Sequence, residues 1–243
     1  MSRRATLATA RRLLEQLRRD PRTLALIIGV PLVLLGLLKL VFQGREHEFQ
    51  QIAPPLLGIF PLTVMFLVTS VTMLRERTSG TLERLMTMPM SRGDLVAGYA
   101  LAFALVAAVQ GTVASGFAIV VLGLDVQGST LALVALAVLN AELGMACGLG
   151  LSSLATTEFQ AVQFMPAFIL PQLLLCGLIV PRDQMAPGLE ALSKILPMTY
   201  AYEGLADVAA GDGSGAAAAA AVTLGFCALA LALGALTLRR RTA

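Results

Sequence analysis

The sequence predicts an all-α integral membrane protein with six transmembrane helices. Of its 243 residues, 57% are hydrophobic and 14% are charged, whereas a soluble globular domain is about one-quarter charged. The apolar residues are gathered into runs of about 20, which is the length that an α-helix needs to cross the hydrocarbon core. The predicted spans are 24–42, 53–74, 98–124, 131–154, 161–180 and 216–238, all within a single transmembrane domain, 1–243.

Residues 1–23 predict an amphipathic helix that lies in the cytoplasmic headgroup layer. The apolar residues of this stretch share one helical face, and arginines fill much of the remainder. That face consists of Leu7, Ala10, Leu14 and Leu17. Such a pattern is typical of interfacial helices. The alternative is a basic tail that only satisfies the positive-inside rule.

The basic residues of the connecting segments predict the orientation. With six spans, the N-terminal tail, the segment 75–97 and the C-terminus lie on one side and hold fourteen of the 18 Lys and Arg residues. The other side holds four. Because basic residues accumulate on the cytoplasmic side, both termini are predicted to be cytoplasmic. The Ala- and Arg-rich composition favours a GC-rich bacterium and therefore the inner membrane of a bacterial cell.

The segment 75–97, between the second and third spans, predicts a short amphipathic helix between two breaks. Residues 79–81 are turn and cap types, and Pro89 disfavours helical geometry at Met88. Ser91 and Asp94 form an S-x-x-D start for the next helix.

The alternative for this segment is a loop helix that rests on lipid. Glu76 and Glu83 stand among its arginines. Acidic groups are poorly suited to an anionic lipid surface, so the segment is better suited to a groove on another protein.

Two blocks of the sequence resemble the permease subunits of type-2 ABC exporters. The first contains Glu76, "SGTLERL" at 79–85, Pro89 and "SRGDLVAGY" leading into the third span. The second is "GLIVPRDQMAPGLEALSKILPMTYAYEGL" at 177–205. The order of the spans extends the resemblance over nearly the whole chain.

The resemblance implies that the loop 75–97 carries a coupling helix, which docks into a cleft on a separate nucleotide-binding subunit. The implied contacts are Glu76, Gly80, Thr81, Leu82, Glu83, Leu85 and Pro89. It also implies a homodimer, or a heterodimer with a similar permease, in the lipid bilayer.

The external segment 181–204 is similar to the family's pair of short re-entrant helices before the last span. Its marker residues are Pro181, Pro187, Pro197 and Glu203, and an apolar stripe runs between the last two prolines. An ordinary surface loop is the alternative.

The sequence contains no G-x-x-x-x-G-K-[ST] phosphate-binding motif. We therefore expect no catalytic residues, no metal site and no cofactor bound by this chain, with ATP and Mg²⁺ on a partner ATPase. Nothing in the sequence favours binding to nucleic acid.

Two polar residues, Asn140 and Glu142, lie near the middle of the fourth span. Ionisable residues at this depth are expensive and often functional, so Glu142 is a candidate substrate contact or gate. The alternative is a polar link between helices, with Gln110 or Gln163 as partner. Gly144 and Gly148 form a G-x-x-x-G step for close helix packing, either within one subunit or between two.

The sequence as a whole predicts the permease subunit of an ATP-driven exporter for an amphiphilic substrate, such as a drug, an antibiotic or a lipid. An ion-coupled secondary carrier and a membrane scaffold without transport activity are the alternatives.

Overall fold

The computed structural model describes residues 3–81 and 91–237, and every regular element within these ranges is helical. This confirms the all-α class for the described part of the chain. The helices are α1 Arg3–Arg18, α2 Pro21–Val41, α3 Glu46–Thr78, α4 Arg92–Gly116, α5 Thr130–Leu151, α6 Glu158–Leu175, α7 Pro187–Ser193, α8 Pro197–Ala209 and α9 Ala216–Thr237. A π-helical turn, Phe117–Val121, continues α4, and 3-10 turns occur at Ser152–Leu154 and Arg182–Gln184.

Five of the described helices are long and apolar enough to cross a membrane. These stretches are Pro21–Val41, Glu46–Thr78, Gly93–Val121, Thr130–Leu154 and Ala216–Leu236. They coincide with five of the six predicted spans. Both ends of the loop predicted at 75–97 are helical, because α3 continues to Thr78 and α4 begins at Arg92.

The fifth predicted span, 161–180, corresponds to α6, but the helix is shorter than the prediction and begins three residues earlier. Gly177, directly after the last helical turn, has a φ of 104°. A left-handed glycine in this position ends a helix, so 176–180 are not part of α6. The helix has 18 residues, or about 27 Å of length, and it contains two prolines and three glutamines. The count of six spans therefore stays a prediction.

The apolar face of α1 packs on protein rather than on lipid alone. Its buried residues are Thr9, Ala10, Leu13 and Leu17, whereas Leu7, which the sequence placed on the apolar face, is 59% exposed. The partner is α4, which approaches closely at Gly98. A Cβ on Gly98 would lie 2.6 Å from the Thr9 Cβ.

The centre of the bundle is the pair α3 and α5. A Cβ on Gly144 would lie 2.0 Å from the Leu62 carbonyl oxygen, and one on Gly148 would lie 2.4 Å from that of Phe66. The G-x-x-x-G step therefore joins two helices of the same chain. Gly111 of α4 is similarly close to the backbone of α5.

The segment after α6 forms two helices of different character. Pro187 and Pro197 occupy the first turns of α7 and α8, a favoured position for proline. The helix α8 extends past the predicted limit of 204 to Ala209, and it packs against α3, α5, α6 and α9. By contrast, α7 leaves most of its side chains exposed.

Candidate functional site

The C-terminal turn of α3 and the helix α1 lie at the same end of the bundle, the α1 end. Arg75 donates two hydrogen bonds to the carboxylate of Glu158 at the start of α6, with N–O distances of 2.8 and 3.1 Å. Arg77 donates to the Ser152 carbonyl oxygen after α5 at 3.0 Å. Both basic groups also suit the negative end of the α3 dipole. The turn is thereby fastened to two neighbouring helices.

Between these arginines, Glu76 is buried, with 7% of its surface exposed. Arg12 Nη2, from α1, lies 3.3 Å from Glu76 Oε1 and donates a 2.6 Å hydrogen bond to Tyr99 Oη of α4. The Arg12 guanidinium also lies 5.9 Å from the centre of the Tyr99 ring, within range of a cation–π contact. One arginine therefore joins α1, α3 and α4, and the Glu76 carboxylate is engaged within the chain.

A turn follows α3 directly. Gly80 has a φ of 71°, in the left-handed region that favours glycine. The Ser79 and Thr81 hydroxyls are 3.0 Å apart and share a hydrogen bond. Of the predicted partner contacts, Gly80 thus lies in this turn and Thr81 lies directly after it.

The start of α4 has the capping box that the sequence predicts. The Ser91 hydroxyl accepts from the Asp94 N–H at 3.1 Å, and the Asp94 carboxylate accepts from the Ser91 N–H at 3.0 Å. The remaining predicted contacts lie outside the described residues, namely Leu82, Glu83, Leu85 and Pro89.

A groove of about 270 Å³ opens between α1 and the end of α3. Leu13 contributes to its apolar wall, and the polar groups around it include Asp20, Thr72, Glu76 and Thr81. Asp20 caps α2, because it accepts hydrogen bonds from the Thr23 hydroxyl and the Thr23 N–H. These bonds hold the pKa of Asp20 below its ordinary value. The groove thus presents polar groups directly beside the beginning of the 79–90 segment.

The mid-span residues Asn140 and Glu142 differ in their surroundings. Asn140 is buried, and its amide donates to the Ala201 carbonyl oxygen of α8 at 3.3 Å. It also lies against α3, where a Cβ on Gly58 would be 2.5 Å from its Nδ2. Asn140 therefore links α5 to α8 beside α3, whereas Glu142 is half-buried.

The amides predicted as partners of Glu142 have other environments. Gln110 is buried and donates to the Ile27 carbonyl oxygen of α2 at 2.7 Å. Gln163 is exposed on α6. The structure therefore does not bring Gln110 or Gln163 into the polar link that the sequence suggested for Glu142.

At the opposite end of the bundle, Glu203 of α8 forms an ion pair with Arg182. Pro181 directly precedes the 3-10 turn that contains Arg182. The N–H of Met198, in the first turn of α8, donates to the Gln172 side chain of α6 at 3.4 Å. The predicted marker residues of the external segment thus lie around contacts that fasten α8 to α6 and to the chain between them.

The sequence did not identify Arg12 or Tyr99 as site residues. An acidic residue in the last turn of a helix opposes the helix dipole, so Glu76 itself signals a need for a cation. Any of the seven arginines before the apolar run of α2 could supply this cation. Only the docking of α1 on α4 shows that it is Arg12.

Comparison with known proteins finds one matching family and several similar transporter proteins. The family described as ABC-2 type transporter matches residues 4–209. The chain is 28% identical over 149 residues to the Probable multidrug ABC transporter permease YbhR of Escherichia coli K12, covering 61% of this chain and 40% of that relative. It is 26% identical over 172 residues to the Linearmycin resistance permease protein LnrN of Bacillus subtilis, covering 68% and 42%.

A third relative is the ABC transporter G family member 20 of Dictyostelium discoideum, which is 26% identical over 157 residues, or 65% of this chain and 22% of the relative. The chain spans less than half the length of each of these three relatives. The family match, however, covers most of this chain, and the apolar helices agree with a multi-pass membrane protein. The chain therefore belongs to the ABC-2 type transporter family.

Proposed function

We propose that this chain is the membrane-spanning permease subunit of an ATP-driven ABC exporter. ATP and Mg²⁺ are held by a separate nucleotide-binding subunit. The observation that carries the proposal is that side-chain contacts join the α3 end to α1, to α6 and to the turn after α5, and through Arg12 to α4. These contacts lie directly before the segment that resembles a coupling helix. A displacement of that segment is transmitted to most of the bundle.

In this proposal residues 79–90, the coupling segment, dock on the ATPase through Gly80, Thr81, Leu82, Glu83, Leu85 and Pro89. Glu76 supports the segment from its base. ATP-driven closure of the ATPase subunits pushes on the segment and changes the packing of the helices above it. Binding alone cannot do this, because a partner shifts a conformational equilibrium only by its differential affinity for the two states.

The proposed topology has six spans with the α1 end in the cytoplasm of a bacterial cell, α1 at the inner face of the membrane and both termini inside. Two contacts support α6 as the additional span. Glu158 meets the end of α3, and Gln172 meets α8 at the opposite end of the bundle. A length of about 27 Å is close to the roughly 30 Å of a bilayer core.

The proposed oligomer is a dimer, either of this chain or with a similar permease, and the substrate passes between two bundles. The exposed face of α6 supports the proposed dimer. Phe159, Leu170 and Leu174 are exposed on this helix, and Gln163 is exposed among them. A polar amide is poorly accommodated by lipid and well accommodated by a second bundle or by a passage for an amphiphile.

The proposed substrate is an amphiphile such as a drug, an antibiotic or a lipid. The printed names of two relatives, a multidrug permease and a linearmycin resistance permease, support this class. The helices α7 and α8 would form the re-entrant pair that covers the external end of the passage.

Glu142 favours a second candidate function, an ion-coupled secondary carrier. It is an ionisable residue near the middle of a span and is only half-buried, as a residue at the edge of a cavity would be. A membrane scaffold without transport activity is the third candidate.

The deciding experiment is co-purification of the chain with purified candidate P-loop ATPase subunits. The wild-type chain is expected to form a stable complex, and Glu83→Arg is expected to weaken it because the reversed charge lies in the coupling segment. Glu15→Arg, a charge reversal at an exposed position of α1, is the matched control and is expected to bind as the wild type does.

Absence of any complex with the wild-type chain would contradict the proposed function and favour the scaffold or the carrier. Uptake into vesicles driven by an ion gradient alone would decide for the carrier.

A further inference from the structure

We propose that Arg12 and Tyr99 are positioning residues, which hold Glu76 and thereby the beginning of the coupling segment in the orientation that the ATPase subunit binds. The inference rests on the proposed function. It deepens that function by placing α1 in the connection between the ATPase and α4.

Glu76 requires a partner for two reasons. It lies in the C-terminal turn of α3, where the helix dipole disfavours an acidic group, and its side chain is almost completely buried. A buried charge is costly unless it is paired. Arg75 and Arg77, its sequence neighbours, are directed to α6 and to the end of α5. Among the described residues, Arg12 is the cation paired with Glu76.

The Arg12–Glu76 pair determines the position of the coupling segment, because only two residues separate Glu76 from the start of that segment at Ser79. The Ser79 hydroxyl donates to the Glu76 carbonyl oxygen at 3.5 Å, and Gly80 then turns the chain with its positive φ. A rotation of the Glu76 turn is therefore passed to Thr81 and to the residues that follow.

Arg12 itself is held in place by α4. The helix α1 buries Ala10, Leu13 and Leu17, and Thr9 approaches α4 so closely that a Cβ on Gly98 would lie 2.6 Å from its Cβ. Arg12 also donates its 2.6 Å hydrogen bond to Tyr99 on the same helix α4. We therefore expect α1 and α4 to move as a pair when the end of α3 is displaced.

The Arg12–Glu76 ion pair leaves one donor and one acceptor unused. Arg12 Nε and Glu76 Oε2 are both buried and lack a hydrogen-bond partner. Guanidinium and carboxylate groups often pair through two parallel hydrogen bonds. We expect a small shift of the α3 end on binding of the ATPase to bring Arg12 Nε and Glu76 Oε2 into hydrogen-bond distance.

The test uses the full chain in lipid nanodiscs and the purified ATPase subunit that the wild type binds, with the Kd as the readout. Arg12→Gln and Glu76→Gln are each expected to weaken binding by about 2- to 30-fold, the range typical of coupled positions. The double variant is expected to bind no more weakly than the weaker-binding single variant, because both changes remove the same interaction.

Arg12→Lys keeps the charge and is expected to retain part of the affinity that Arg12→Gln loses. Tyr99→Phe removes one hydrogen bond and keeps the ring, so a smaller loss is expected. Should Arg12→Gln fail to fold, Arg12→Lys and Tyr99→Phe provide the comparison, because both preserve most of the buried volume.

The matched control is Arg11→Gln, on the same helix. Arg11 pairs with Glu15 at 2.9 Å on the exposed face of α1, and its replacement is expected to leave the Kd unchanged. Failure of the wild-type chain to bind any ATPase would overturn the proposed function. Wild-type binding together with unchanged binding by Arg12→Gln and Glu76→Gln, or strictly additive losses in the double variant, would overturn this inference alone.

Discussion

At the scale of single residues, Gly144 determines how closely α3 and α5 approach. A Cβ there would lie 2.0 Å from the Leu62 carbonyl oxygen, and the backbone of α3 cannot yield as a flexible side chain does. We expect Gly144→Ala to lower the free energy of unfolding by about 1–3 kcal/mol through overpacking. Thermal unfolding of the purified chain in detergent measures the change.

Gly29 of α2 is the control for this substitution. Nothing lies within 4 Å of the position of its Cβ, so Gly29→Ala is expected to leave stability unchanged or to raise it slightly, since alanine is the better helix former. Equal stability of the Gly144→Ala and Gly29→Ala variants would contradict the close packing of α3 on α5.

Residue-level predictions from the sequence succeeded where the partner is close in the chain. The Ser91–Asp94 capping box was recognisable because both members belong to one turn and one spacing defines it. The Arg12–Glu76 pair was not, since its members come from separate helices and only the packing of α1 on α4 brings them together.

At the scale of helices, the segment after α6 contains one exposed helix, α7, and one buried helix, α8. The exposed fractions are 47% for Leu189 on α7 and 66% for Ile195 just after it, against 0% for Leu205 of α8. After Cys147, Cys176 and Cys227 have been replaced by alanine, Leu189→Cys and Ile195→Cys are expected to react with a membrane-impermeant maleimide at least about tenfold faster than Leu205→Cys, which is reached only through local opening.

Labelling of intact cells provides the measurement. Rapid reaction at Leu205→Cys would contradict the burial of α8 between α3, α5 and α9. Absence of reaction at both exposed positions would contradict an external location of α7.

The helix α6 illustrates why a boundary read from hydropathy is displaced. The apolar run continues through Ile179 and Val180, and a count of apolar residues includes them in the span. Gly177 ends the helix before them by adopting a positive φ. Composition identifies the span approximately, whereas the backbone conformation of one glycine determines its end.

At the scale of the whole molecule, the topology depends on whether α6 crosses the membrane. Thr156, which precedes α6 in the chain, and Gln184, which follows it, are both exposed. If α6 crosses, Gln184→Cys is expected to react with an impermeant maleimide in intact cells, and Thr156→Cys only after the membrane is permeabilised, in the same background without native cysteines. Reaction of both positions from one side would contradict the six-span arrangement.

The sequence by itself determined the class of the molecule. Apolar runs of bilayer length and the spacing of local caps depend only on residues that are near one another in the chain, so the all-α class, five spans and the start of α4 could be predicted. The two motif blocks indicated the family that the comparison confirmed.

Only the tertiary structure decided which surfaces of the helices meet. It placed the apolar face of α1 on α4, directed the G-x-x-x-G step of α5 to α3 and engaged Glu76 with Arg12 and Tyr99. The physical reason is that a membrane helix is apolar around most of its circumference, so its pattern does not distinguish a lipid-facing side from a protein-facing side. That choice depends on close packing and on the pairing of buried polar groups between segments far apart in the chain.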